Sequence, residues 1–431
     1  MFVQLIDNPW MILAISPTII ILVMILQKPV IGIYLTSFLI PLEDLTTLFT
    51  NVTLLKILLA FTFLAWLLKE LVSKNRIRFQ QMSFIVLLAI WSVMSLAWSY
   101  SLNDSLSRIS TFIQAILFSI MAFNLLKTKS DIERVMIIYI FASVLTAIIA
   151  IYLLSSGVLL RNRAAFIEGQ NPNGFSRSLG MSLLFIVYFL QTDRFKHKFL
   201  LYPLGVMFLL VIVLAQSRGT YIALIVSLPI IIYHSKFGNN LRIIIMGTIA
   251  ALLTFYLFPN ILLEYVIPRA LSGFTEYSMG GRNVIWLVGW EMIKDHPFFG
   301  VGFGNFTSIY GQYSLPLRGW YAETGPHNVF VAFQAELGIV GTVIFSLFLY
   351  RIYKKIKSID SNHLIDKAWS LSFLLYIVVG AMSNSLHYTK FFWLEVALVV
   401  AFINQSEFIQ IDVHQEGKMI NKTKPKLFYK S

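Results

Sequence analysis

Val135–Leu154 reads VMIIYIFASVLTAIIAIYLL, a run without a single charge that by itself matches the ~20 residues a helix needs to cross the hydrocarbon of a bilayer. Met82–Trp98 (MSFIVLLAIWSVMSLAW) and Ile109–Leu126 (ISTFIQAILFSIMAFNLL) have the same character. None shows the strict apolar/polar alternation of a membrane barrel strand, and only helices or closed barrels satisfy the backbone in lipid, so these runs are spanning helices. Working outward, comparable segments fall near residues 10–26, 30–42, 52–68, 175–191, 199–216, 219–233, 243–258, 328–350, 368–386 and 391–404. The expected fold is an all-α polytopic membrane protein with about 12–13 transmembrane helices.

Composition agrees. The 431 residues are 57% hydrophobic and 13% charged, with a mean hydropathy of +0.74, too much apolar surface for one soluble core to hide. Trp10–Leu26 follows Asp7 rather than a basic segment and has no small-residue cleavage site after it, so it reads as the first helix and not as a signal peptide. There is no cysteine, which excludes disulfide, thiolate-metal and thiol-nucleophile chemistry.

Basic residues set the orientation. Alternate loops hold 23 of the 34 lysines and arginines, including Lys69 to Arg78, Arg351 to Lys367 and the tail after Asn404, and that side is expected to be the cytoplasm. The net charge of +13 is then topogenic, placed at helix ends facing anionic lipid, and implies no nucleic-acid partner. Of the 11 basic residues left for the other side, 8 are arginine: Arg108, Arg161, Arg163, Arg177, Arg218, Arg269, Arg282 and Arg318. Lysine suffices for topology, whereas the planar fork of arginine matches carboxylate or phosphate in bidentate fashion. An oxyanion substrate on the outer face is one reading; interface anchoring is the plain one.

About seventy residues separate the helix ending near Leu257 from the one starting near Asn328, well beyond the ~12–15 above which loops are usually functional. Within it Val284–Val288 suits a helix lying at the membrane surface. Four short elements share the outer side: Asn171-Pro172-Asn173-Gly174 followed by Arg177; Ser217-Arg218-Gly219; Gly281-Arg282-Asn283 with Trp286, Trp290 and the run His296-Pro297 to Gly304; and Pro326-His327-Asn328 with Glu336-Leu337-Gly338. Gly300, Gly302 and Gly304 lack a preceding strand, so a structural turn fits them better than a dinucleotide site. His296 reads as a helix-end residue or a substrate contact, and His327 as a cap or a catalytic group. Glu336 and Glu395 sit inside apolar helices, where an acid is costly and either functional or paired with a buried arginine.

In order and spacing, these elements resemble the O-antigen ligase and O-antigen (Wzy-type) or capsular polysaccharide polymerase superfamily over roughly residues 170–345. The resemblance implies a GT-C-like helical glycosyltransferase of the bacterial cytoplasmic membrane, with its active site extracytoplasmic and its C-terminus cytoplasmic. It divides the chain into N-terminal membrane helices (1–170), a core (171–350) with an extracytoplasmic loop (260–326), C-terminal helices (351–404) and a basic tail (405–431). It further implies a polyprenyl-pyrophosphate-linked glycan donor, a glycan acceptor and no cofactor or metal, with membrane lipid, a chain-length regulator and a flippase as partners. By similarity Arg218 and Arg282 grip the pyrophosphate and His327 acts at the acceptor hydroxyl, with substrate contacts from Asn173, Arg177, Arg318, Glu323 and Asn328. Polymerisation of lipid-linked repeats into a surface polysaccharide is the first expectation. Ligation to lipid A core, cell-wall glycan or protein is the alternative, and a transporter or flippase the alternative of another class.

Overall fold

The computed structural model describes residues 9–49, 52–74, 77–79, 82–158, 163–167, 170–192, 194–234, 237–271, 282–314, 325–360 and 363–405. The expected Arg161, Gly281, Arg318 and Glu323 lie outside these residues. Among those described, the helices in chain order are α1 (Pro9–Gln27), α2 (Val30–Leu39), α3 (Leu54–Val72), α4 (Ser83–Met94, continued by the 3-10 turn Ser95–Trp98), α5 (Leu102–Leu125) and α6 (Lys129–Ser155). There follow α7 (Pro172–Gln191), α8 (Leu201–Leu214), α9 (Arg218–Tyr233), α10 (Phe237–Leu257) and α11, which runs through Pro259–Ile261, the π-helical Leu262–Val266 and Ile267–Leu271. The last are α12 (Arg282–Asp295), α13 (Phe306–Ser314), α14 (Val329–Lys357), α15 (Leu364–Ala381) and α16 (390–405). A short antiparallel ladder pairs Thr47–Phe49 with Val52–Thr53.

Every segment read as a helix from hydropathy has a counterpart, and the protein is an all-α polytopic membrane protein. Five helices, α5, α6, α7, α14 and α15, are long and apolar enough to cross a membrane unaided, and α10 with α11 makes a sixth if that pair, bent by 102°, is one span. Others, such as α2 and α9, are apolar but shorter. At 1.5 Å per residue the 16 residues of α9 cover about 24 Å, less than the ~30 Å hydrocarbon core.

Helix starts follow the sequence. Thr53 caps α3 by accepting from Lys56 N (3.2 Å), and Thr128 with Asp131 forms a reciprocal capping box at α6. The bundle is built around α7 and α16, both enclosed along most of their length. α9 packs along α15, α8 between α7 and α10, and α14 along α4 and α12. At the α6 end opposite the arginine-bearing turns, Lys129 pairs with Asp366 of α15 at 2.7 Å.

One expected boundary moves. The helix drawn over 368–386 stops at Ala381, and the polar run Ser383-Asn384-Ser385 leads through a 3-10 turn (Leu386–Tyr388) to α16. Hydropathy missed this because Leu386 and Tyr388 extend the apolar run past the true end, while Ser and Asn favour turns over helix interiors.

Candidate active site

The four sequence elements converge at one end of the bundle. Arg177 projects from the first turns of α7, Arg218 opens α9, Arg269 lies in α11 and Arg282 opens α12. Two of them, Arg218 and Arg282, line a cavity of about 280 Å³ together with Gly219, Trp286, Met382 and Ser383. Burial, together with the like charges of Arg177, Arg218 and Arg269, pushes the Arg282 guanidinium down to about 10 from 12.5. The neighbouring cations thus act on one another across the cavity.

Local structure explains how each guanidinium is aimed. α8 ends at Leu214 and Gln216 takes a left-handed φ of 53°, which turns the carbonyls of Ala215 and Gln216 out of the helix. Helix C-termini leave such carbonyls without intrahelical partners and carry partial negative charge. Arg163 donates through Nε to Ala215 O (3.0 Å) and through Nη2 to Gln216 O (3.3 Å), and Arg269 Nε donates to the same Gln216 oxygen (3.1 Å). These two arginines therefore clamp the turn that presents Arg218. Arg177 is buried to 1% exposure, and its Nη2 donates to Ser383 Oγ (2.7 Å). Its Nε and Nη1 find no hydrogen-bond partner among the described residues. The contact requires glycine at 219: a Cβ there would come within 2.4 Å of Ser383 Oγ and 3.0 Å of Arg177 Nη2.

His327 stands next to this cluster. It takes a left-handed φ of 48° immediately before α14, so its half-buried imidazole leaves the helix axis toward Arg282. Burial first, then the charge of Arg282, lower its pKa below 6.5, against a hydrogen bond with Asn384 that acts the other way. The ring is therefore held neutral near neutral pH, the form able to accept a proton. Trp286 Nε1 donates to Pro326 O (3.1 Å), tying α12 to the segment that carries His327.

Two expected substrate contacts have local duties. Asn328 Oδ1 accepts from Phe330 N (2.9 Å) and Val331 N (3.3 Å) and so caps α14, and Asn173 Oδ1 accepts from Arg163 Nη2 (2.9 Å). The pairing of Glu336 and Glu395 with arginine is also corrected, since neither forms an ion pair among the described residues. Glu336 Oε1 instead accepts from Phe306 N (3.2 Å) at the start of α13, where a carboxylate complements the helix N-terminus. Glu395 is buried in α16, and neither of its oxygens has a hydrogen bond among the described residues.

The run from His296 to Gly304 acts through its backbone. Gly338 breaks α14 with φ 67° and ψ −165°, which leaves carbonyls of the preceding turn open. Val301 N donates to Ala335 O (2.9 Å), Gly302 N to Glu336 O (2.9 Å) and Trp91 Nε1 to Leu337 O (3.1 Å), while Ile339 N returns a bond to Pro297 O (2.9 Å). A Cβ on Gly338 would sit 2.1 Å from Phe298 O, so the close approach admits no side chain. This supports the structural-turn reading of the glycines and places them behind the site, where they fix α12 against α14.

Sequence reasoning missed Ser383 and Asn384, which hold Arg177 and His327. Their signal was the polar run SNS at the arginine-bearing end between two apolar helices.

Comparison with known proteins finds one matching family and two similar relatives. Residues 203–346 match the model of the O-antigen ligase family, a stretch that contains Arg218, Arg269, Arg282 and His327. A Rickettsia felis protein provisionally named a polysaccharide ligase is 25% identical over 294 residues, spanning 65% of this chain and 70% of its own length. A Rickettsia conorii protein given the same provisional name is 23% identical over 334 residues, spanning 73% and 77%.

Over residues 203–346 the chain is thus similar to the O-antigen ligase family, and it is built as a multi-pass membrane protein. Ser383, which lines the cavity, and Arg177, which donates to it, lie outside the matched stretch.

Proposed function

We propose that this protein transfers a glycan from a polyprenyl-pyrophosphate carrier to the hydroxyl of a second glycan, on the non-cytoplasmic face of the cytoplasmic membrane, and that it does so as a ligase. The observation that carries the reading is a cavity lined by Arg218 and Arg282, with the charges of Arg177 and Arg269 acting on Arg282, beside the His327 imidazole. Mutually repelling guanidiniums collected at one place are an electrostatic demand for an anion of high charge density, and a diphosphate meets it. The acceptor oxygen forms a bond to the sugar C1 as the bond from C1 to the phosphate oxygen breaks. His327 takes the acceptor proton, and the diphosphate leaves with the bonding electrons. Attack from the face opposite the leaving group inverts C1, and the arginines neutralise charge that a divalent metal neutralises in other transferases. A preorganised donor of this kind is typically worth ~3–4 kcal/mol in the transition state, or two to three powers of ten in rate.

Ligation is preferred to the polymerisation first expected from the sequence because the matched family and both relatives carry ligase names. A deletion strain of the native host decides the matter. Full-length polymer left on the polyprenyl carrier is expected for a ligase; single unpolymerised repeats on the carrier would overturn ligation in favour of polymerisation, and unchanged surface and lipid-linked glycans would overturn both.

A further inference from the structure

Arg177 stands behind the wall of the arginine cavity and reaches Ser383 of that wall through Nη2. Its surroundings hold it there. Tyr376 Oη donates to the Arg177 carbonyl (2.7 Å), and a Cβ on Gly380 of α15 would come within 3.2 Å of Arg177 Nε. With Gly219 of α9 crowding Nη2 in the same way, the guanidinium fills a slot between two glycines. Its charge still reaches the cavity, because it acts on Arg282.

An arginine does not give up its proton inside a protein, and a buried charge is costly unless an opposite charge offsets it. Arg177 is buried, and it forms no ion pair among the described residues. The acid whose charge acts on it is Glu395, itself buried in α16. Glu395 also acts on Tyr139 of α6 and Tyr376 of α15, and Tyr139 Oη shares a 2.5 Å hydrogen bond with Ser178 Oγ, next in sequence to Arg177. Four helices, α6, α7, α15 and α16, thus surround one carboxyl and one guanidinium. The proposed transfer gives Glu395 no task, yet an acid enclosed in an apolar helix is expensive.

We infer that Glu395 carries a fixed negative charge behind Arg177 and thereby sets how strongly the cavity holds its anion. It is a positioning residue that acts through Arg177 and lines no part of the cavity itself. By offsetting one of the cations it limits the grip on a diphosphate, which keeps binding reversible. The inference rests on the anion-binding reading of the cavity given above.

The test is the sign of an affinity change. Farnesyl pyrophosphate and farnesyl phosphate are titrated calorimetrically into the full chain in detergent at pH 7. Two unit charges roughly 10 Å apart at an effective dielectric of ~20 alter an equilibrium about 10-fold, and solvent in the cavity lowers this. Glu395→Gln is expected to bind farnesyl pyrophosphate at least ~3-fold more tightly than wild type, and Arg177→Gln at least ~3-fold more weakly. Their combination is expected within about 2-fold of wild type, as is Glu395→Asp. The changes should be smaller for farnesyl phosphate, which carries less charge. Weaker binding by Glu395→Gln would make the residue a packing element, and unchanged binding would mean that its carboxyl is protonated; either result overturns the proposal. Should Glu395→Gln alone fail to fold, the double variant is compared with Arg177→Gln and is expected to bind the pyrophosphate more tightly. Wild-type affinity indifferent to Arg282→Ala would sink the anion-cavity reading instead. Charge compensation is then read from melting temperature: each single glutamine variant is expected to lower it by more than the double variant does, and additive losses would overturn it.

Discussion

Replacing Arg282 by lysine tests the arginine cluster through its pH dependence. Burial and the charges of Arg177, Arg218 and Arg269 bring the guanidinium from 12.5 to about 10. A lysine starts from about 10.4, below the arginine, and the same burial and like charges push it down from there. At pH 7 the loss of affinity for polyprenyl pyrophosphate reads chiefly the missing fork. One charge-assisted hydrogen bond of ~1.5–3 kcal/mol corresponds to about 10- to 100-fold. As pH rises to 9 the variant loses more of its charge than the wild-type guanidinium does, so its affinity falls further with pH than that of wild type. The sign is fixed: a cation whose folded pKa is depressed loses its charge, and its grip on an anion, as pH rises. Affinities measured by titration calorimetry in detergent at pH 7, 8 and 9 supply the comparison, with wild type correcting for every other titrating group. Parallel pH profiles for the two proteins would refute the idea that these four arginines share one electrostatic site.

His327→Ala is expected to lower kcat by at least ~100-fold while leaving polyprenyl pyrophosphate affinity within about 3-fold, since general-base catalysis is typically worth 10²–10⁴; equal loss of both would make the residue a binding group. Asn384→Ala removes the hydrogen bond that raises the His327 pKa, so the acid limb of the kcat/KM profile should move to lower pH, and a shift upward would contradict the arrangement. Gly338→Ala forces a side chain into a left-handed backbone and against Phe298 O; a cost of at least ~2 kcal/mol is expected, read as a lower melting temperature in detergent.

Much of this molecule is legible in its sequence because a bilayer imposes a coarse rule that composition alone can obey. Each apolar run had to become a helix, and each did. The arginines were legible for a related reason: the loop pattern assigns eight of them to one expected side, more than topology requires. Hydropathy could not say which of the eight hold the backbone. Arg163 and Arg269 bind the carbonyls at the end of α8, a role set by the left-handed turn at Gln216, and no spacing rule announces such a turn at a glutamine. The end of α15 was lost likewise, because a serine and an asparagine within an apolar stretch look like a tolerated pair until tertiary contacts engage them. Asn328 shows the opposite error: its place in a motif suggested substrate, while its position one residue before α14 made it a cap.

The mutual repulsion recorded at Arg282 bears on turnover. On the proposed transfer, the carrier diphosphate would gain one more negative charge when the glycan departs, so a cavity suited to the substrate would attract the spent carrier more strongly still. Chemistry of this kind leaves an enzyme slowed by its own by-product. Free polyprenyl pyrophosphate should then compete with the donor, and whatever removes that lipid from the membrane would set the pace of surface-glycan assembly.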